Sequence, residues 1–343
     1  MTPKDSAVLH TKGSSVHAIA LPSNQPADRF YAGGARISAF RGEAPSPAMT
    51  PEDWVGSTTS VRDDAPAGLT RLPSGEMLAA AIDRDPVAWL GAAHVEQFGT
   101  DTKLLVKLLD AGQRLPVHAH PDREFAGEYL GAHHGKAEAW YILSPGTVYL
   151  GLTRSVTGEE LSELVNSQQT ERLLTLTHAI DVEPHDTVFV PPGLLHAIGE
   201  GVFLAEVQEP EDLSILLEWK DFALDGLISG HMGLGFDVAL TAVQHVGRTR
   251  EEVEALVRRS VVSGPALVPL SAEFFRLERV TAGARIEAGF AVVIVLDGAV
   301  TLTESSGAAQ SFDSGSTVVV PAAAGPFTLA GGTVLVARPP LAS

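Results

Sequence analysis

The sequence predicts a mainly β chain made of two jelly-roll β-barrel units, with a small helical insertion in the first. Short apolar runs of strand length recur from position 103 onward, several of them followed closely by Pro or Gly. Two of these runs are echoed in the same order near the end of the chain, as an internal repeat would require. Apolar residues at helical spacing are confined to two short stretches, 157–176 and 249–262.

Residues 1–100 carry scattered Gly and Pro and short apolar runs such as Val87-Ala88-Trp89-Leu90, which predict strands and loops, not long helices, leading into a barrel. Strands are then expected over 103–109, 139–143, 147–152, 187–190 and 202–207. Between them, Leu161, Leu164, Val165, Leu173 and Leu174 stand among Glu, Ser and Gln. Gly158-Glu159-Glu160 supplies an acidic first turn, so one or two short helices are expected in 157–176. The second stretch, 249–262, spaces Val253, Leu256 and Val257 helically behind Glu251 and Glu252 and reads as a helix between the two β units. The expected division is 1–245 for a metal-binding unit and 246–343 for a second, metal-free one.

The repeat rests on two pairs of segments. Ile294-Val295-Leu296-Asp297-Gly298-Ala299-Val300 echoes Ile142-Leu143-Ser144-Pro145-Gly146-Thr147-Val148, and Thr317-Val318-Val319-Val320-Pro321 echoes Thr187-Val188-Phe189-Val190-Pro191. The copies differ in chemistry. Residues 271–343 contain no histidine, and Pro326 stands where the repeat would align it with His196.

The 343 residues, 45% of them hydrophobic, can fill a sizeable core. A formal charge of −18, from 42 acidic against 24 basic residues, disfavours a nucleic-acid backbone or an anionic membrane surface as partner. Cysteine is absent, which excludes disulfides, thiolate nucleophiles and Cys-ligated zinc, so a metal must sit on His, Asp or Glu. Met1 to Ser15 is polar, with no basic segment followed by an apolar run, and no window reaches the roughly 18 apolar residues of a membrane span. A soluble, cytoplasmic protein is expected.

The residues with the clearest chemistry are histidines. In Pro116-Val117-His118-Ala119-His120 the two imidazoles are one residue apart, so on a strand they project from the same face and can reach one ion. Downstream, Pro191-Pro192-Gly193-Leu194-Leu195-His196 ends a strand in a turn and presents a third histidine.

A glycine, Gly112, five residues, His-x-His, a later Glu, then Pro-x-Gly with a His three residues on is the cupin pattern, and 110–200 resembles that superfamily. The glutamate usually follows His-x-His closely. Here it is Glu138, in Gly135-Lys136-Ala137-Glu138-Ala139-Trp140-Tyr141, after an insertion. With His120-Pro121-Asp122 and Pro192 to Gly201, this order resembles the class I mannose-6-phosphate isomerases. Weaker likeness extends to Ala32-Gly33-Gly34 and Trp54.

The resemblance implies a single divalent metal, usually zinc, on His118, His120, Glu138 and His196. Three imidazoles and a carboxylate also suit Fe, Co, Ni or Mn. It implies aldose–ketose isomerisation through an enediol, with Lys136 and Glu206 near the substrate and Glu206 as the base. Two positions depart from the family. His118 replaces a common glutamine, and Leu213 to Trp219 lacks the arginine that bacterial relatives carry there, leaving apolar Ile215 near its place. The implied substrate is therefore mannose-6-phosphate and fructose-6-phosphate, or a related sugar with or without a phosphate. Two other readings share the ligand set: an Fe- or Mn-dependent cupin dioxygenase, and a sugar-binding cupin without turnover.

His133, His134 and His185 lie in a polar insertion and a turn, where exposed histidine is expected. Trp140 and Trp219 are expected to pack in the core or line the pocket.

Overall fold

The strands form because runs such as Glu138-Ala139-Trp140-Tyr141-Ile142 and Ala291-Val292-Val293-Ile294-Val295 are dominated by aromatic, β-branched and small apolar side chains that fill a pleated surface. The computed structural model describes residues 16–281 and 283–342, so the reading made for Met1 to Ser15 lies outside the described residues.

In the first unit one sheet runs Val257–Arg258, Thr187–Val190, Glu138–Ser144, Phe203–Gln208, Leu105–Asp110, Glu52–Val55. It faces a second sheet of Ile215–Leu216, His118–Ala119, His196–Ile198, Gly146–Leu152, Thr177–Val182. The C-terminal unit reproduces the core of this order strand for strand: Thr317–Val320, Ala291–Asp297, Thr333–Arg338, Arg276–Thr281 in one sheet, and Arg285–Ile286, Phe327–Ala330, Val300–Thr303, Ala309–Phe312 in the other. The sequence echoes therefore mark equivalent strands of two copies of one fold. Each unit also takes an edge strand from elsewhere in the chain: Ile19–Leu21 pairs with Thr317–Val320, and Val257–Arg258 with Thr187–Val190.

The second unit's larger sheet is buried on both faces. Val293, Val295, Val318 and Val320 fill that unit's interior, while Val292, Ile294, Val319 and Leu335 join the main core with Trp140, Phe189 and Phe275. Burial on both sides is why these strands read as unbroken apolar runs instead of alternating ones.

The helical insertion forms as two pieces, Gly158–Asn166 and Thr170–Thr175, and the Thr157 side chain caps the first by accepting the Glu160 N–H. Two expectations are corrected. The lead-in contains four short helices, and Val87 to Leu90 belongs to one of them, Pro86–Leu90. Asp85 accepts the Ala88 N–H, and Pro86 sits at the first helical position, where a missing N–H costs nothing. The stretch 249–262 is helical only over Arg250–Glu254, started by a Thr249/Glu252 capping box. Val257 leaves the helix to pair with Val188, so a sheet edge overrides helical spacing.

Candidate functional site

His118 and His196 face each other directly across neighbouring strands, and His120 follows two residues after His118 on the same face. The ring nitrogens of the three lie within 4.8 Å of one another, and all three side chains are buried. The Nδ1 atoms sit 2.8 Å from Pro116 O, 2.7 Å from Leu213 O and 2.8 Å from Leu194 O for His118, His120 and His196 respectively. A carbonyl only accepts, so each Nδ1 carries the hydrogen and each Nε2 presents a lone pair to the shared space. Gly193, with φ of 79°, lets the Pro191-Pro192-Gly193 turn fold back so that its N–H donates to His120 O at 2.7 Å, tying the third histidine's turn to the first pair.

Glu138 enters from the facing sheet. Its Oε2 lies 3.0 Å from His120 Nε2 and its Oε1 3.3 Å from His196 Nε2. Trp140, two residues on and fully buried, donates its indole N–H to Glu138 Oε1 at 3.1 Å, so Trp140 orients the carboxylate. Glu138 Oε2 and His196 Nε2 have no hydrogen-bond partner, and buried polar atoms left so within one cluster are what a cation would satisfy. Burial and the neighbouring imidazoles push His118 well below the usual histidine range; burial and the Lys136 ammonium take His120 down to about 3. Burial works to raise Glu138, but Lys136 and His120 overcome it and hold the carboxyl well below its ordinary range. Neutral imidazoles beside an ionised carboxylate are the donor set a divalent ion needs.

Of these groups, His118 and Glu138 line a cavity of about 670 Å³. Lys136 and Glu206, both expected near a substrate, are buried and line it. Lys136 Nζ is 3.2 Å from Glu138 Oε2 and 3.1 Å from His120 Nε2. Glu206 sits in a row of directly opposed residues, Trp54, Lys107, Glu206 and Trp140, running across four strands. Facing residues in an antiparallel sheet share a side, so the row forms a floor. Lys107 Nζ is 3.5 Å from Glu206 Oε1 and 3.5 Å from Glu52 Oε2, and lies over the Trp54 ring at 4.5 Å. Burial and the Glu138 charge push Glu206 up to about 7, with Lys107 pulling the other way.

Sequence reasoning missed Glu52, Lys107, Arg29, Arg62 and Asp212, all of which line the cavity. Only Lys107 left a signal, as the lone charge inside the run Leu104 to Leu109. Two readings are corrected. Ile215 packs away from the cavity with Val117 and Ala119, and its neighbour Leu216 lines the wall. His134 is buried, 2.7 Å from Asp101 Oδ2 and 3.1 Å from Lys103 Nζ, whereas His133 and His185 are exposed. Trp219 stacks on Phe236 at 5.2 Å. Among the described residues no helix is long and apolar enough to cross a membrane.

No family model matches the chain. It is 36% identical over 133 residues to a mannose-6-phosphate isomerase of Streptococcus mutans, covering 37% of this chain and 41% of that one. It is 35% identical over 117 residues to the mannose-6-phosphate isomerase ManA of Bacillus subtilis, covering 33% and 36%. The matched segments thus span less than half the length of these relatives. In three dimensions the likeness is nearly end to end. The crystal structure of the Bacillus subtilis mannose 6-phosphate isomerase superposes with a TM-score of 0.72 at 22% identity, over 94% of this chain and 99% of that one. The apo form of the Salmonella typhimurium enzyme gives 0.71 at 17%, over 95% and 100%. The chain is thus similar in sequence, over these segments, to curated mannose-6-phosphate isomerases, and shares the fold of the solved ones.

Proposed function

We propose that the protein is a metal-dependent aldose–ketose isomerase acting on mannose-6-phosphate and fructose-6-phosphate, with zinc as its metal and the cytoplasm as its compartment. The carrying observation is that the His118/His120/His196/Glu138 cluster reaches, through His118 and Glu138, the same cavity as the Glu206 carboxylate, whose buried Oε1 has no hydrogen-bond partner. A divalent ion on those four residues would polarise the substrate's carbonyl and hydroxyl oxygens as a Lewis acid.

Glu206 takes the base role because it is buried, faces the cavity and is tuned near neutrality, where a carboxylate can both accept and return a proton. In the aldose-to-ketose direction it removes the proton from C2 and delivers it to C1, while the proton of the C2 hydroxyl is exchanged for one on the C1 oxygen. Lys136, beside Glu138, places an ammonium where the enediol oxygens develop negative charge. The two sheets and the apolar side chains of Leu109, Leu115 and Ile198 exclude bulk water around the reacting carbons.

The test follows C1 and C2 proton exchange into deuterated water by NMR, with zinc-loaded protein and each sugar phosphate, alongside oxygen uptake. Exchange that Glu138→Ala abolishes, with no oxygen consumed, supports the isomerase. Oxygen uptake without exchange sinks it in favour of an oxygenase.

A further inference from the structure

The strand Ile215–Leu216 presents Leu216 to the cavity and supplies no cation, yet two arginines reach the same cavity from the segment preceding the barrel. Arg29 has a side chain only 13% exposed; its Nη2 lies 3.5 Å from Glu52 Oε1 and 3.8 Å from Asp212 Oδ2. Its buried Nε has no hydrogen-bond partner. A guanidinium desolvated this far while keeping an unmatched donor is set up to accept an anion, because leaving that donor unpaired costs free energy that a ligand oxygen recovers.

Arg62 is the second. Its backbone N–H donates to the same Asp212 Oδ2 at 3.1 Å, so one carboxylate oxygen holds both arginines at the cavity. Its guanidinium is more open, 37% exposed, with one long hydrogen bond of 3.4 Å to Met232 O and an ion pair at 3.7 Å to Asp63, itself 91% exposed. Both partners are weak enough for a dianion to displace, since exposed pairs contribute little.

We propose that Arg29 and Arg62, gathered by Asp212, form the phosphate-binding arm of the cavity, in place of a cation on the strand Ile215–Leu216. This rests on the isomerase reading for the identity of the ligand, a sugar phosphate, but not for the existence of an anion site. Two arginines at one phosphate suit its geometry: each planar fork can give two parallel hydrogen bonds to a pair of oxygens. The arm leaves Lys107, Lys136 and Glu206 to the carbons and oxygens that react.

The test uses zinc-loaded wild type, Arg62→Gln and Arg29→Lys, with two readouts: calorimetric binding of inorganic phosphate, and kcat/KM for mannose-6-phosphate against mannose. Arg62→Gln is half-exposed and should fold even if Arg29→Lys, in a buried ion cluster, does not. The expected result is phosphate affinity and kcat/KM for the sugar phosphate both falling by about 10- to 100-fold, the loss of one charge-assisted contact, while kcat/KM for mannose falls less, and on Arg62→Gln, which touches neither Glu52 nor Lys107, by no more than about threefold. Phosphate binding undiminished in both variants overturns the arm and points to phosphate on the metal. So does an unchanged kcat/KM for the sugar phosphate, or an equal loss for both sugars. If wild type exchanges no sugar proton but loses phosphate binding on Arg62→Gln, the isomerase reading fails and the anion arm stands.

Discussion

Lys107 lies directly across the strand pair from Glu206, with its Nζ 3.5 Å from the Glu206 Oε1 that has no hydrogen-bond partner. The pair sets the pH at which the base is available. Burial and Glu138 push Glu206 up to about 7; the ammonium of Lys107 restrains that rise. The base works ionised, so kcat/KM should climb with pH through the neutral range. Lys107→Met removes the restraint and should move the acidic limb of the pH–rate profile to higher pH. A limb that does not move would separate Lys107 from the base.

Glu206→Gln is close in volume but cannot take a proton. It should lower kcat roughly 100- to 10,000-fold with a smaller change in KM. A loss under threefold in stopped-flow or steady-state assays would assign the base elsewhere.

The same carboxyl leaves a signature in stability. Its folded pKa, about 7, lies above its ordinary value of 4.5, so the folded state binds the proton more tightly than the unfolded chain does. Metal-free protein should therefore lose unfolding free energy as pH rises from about 4.5 through 7, and be favoured by Glu206 below that window. Urea melts of metal-free wild type and Glu206→Gln across that range should diverge, with the variant relatively more stable at the alkaline end.

The legible part of this molecule was the part that obeys short-range rules. His118 and His120 share a face because strand side chains alternate, so that pair was readable from spacing, whereas His196 and Glu138 joined it through the cupin-like order of the motifs. The repeat was legible because both copies keep the same two-face burial. What stayed hidden depends on pairing between distant strands. Glu206, Lys107 and Trp54 become neighbours only through register, and Arg29 and Arg62 reach the cavity from loops more than 140 positions before Asp212, which gathers them. Helical spacing misled at Val257, where an open sheet edge offered backbone partners that a short helix could not match.

Metal removal should be visible without any assay of activity. Three buried imidazoles and Glu138 have no solvent to satisfy Glu138 Oε2 and His196 Nε2, so the folded state alone offers the complete ligand set. Zinc at one hundred times its Kd should raise the unfolding free energy by about 2.7 kcal/mol, and chelator should reverse the rise in Tm. Glu138→Gln should blunt the response. A Tm that ignores both zinc and chelator would argue against a metal on this cluster.

Trp140 supplies a sharper test of how the carboxylate is held. Its indole N–H holds Glu138 Oε1 on the His196 side and so leaves Oε2 beside His120, and the ring is buried against His196 with centroids 5.7 Å apart. Trp140→Phe keeps an aromatic ring in the core but deletes the donor. Outer contacts of this kind typically carry about 10- to 100-fold in metal affinity, so zinc competition with a chromophoric chelator should show a loss of that size. Trp140→Phe will also cost some packing, so the comparison needs Trp54→Phe, whose indole N–H serves Glu52 instead and whose zinc affinity should be nearly unchanged. Equal losses in the two variants would mean that general loosening of the floor, and not the Glu138 contact, controls the metal.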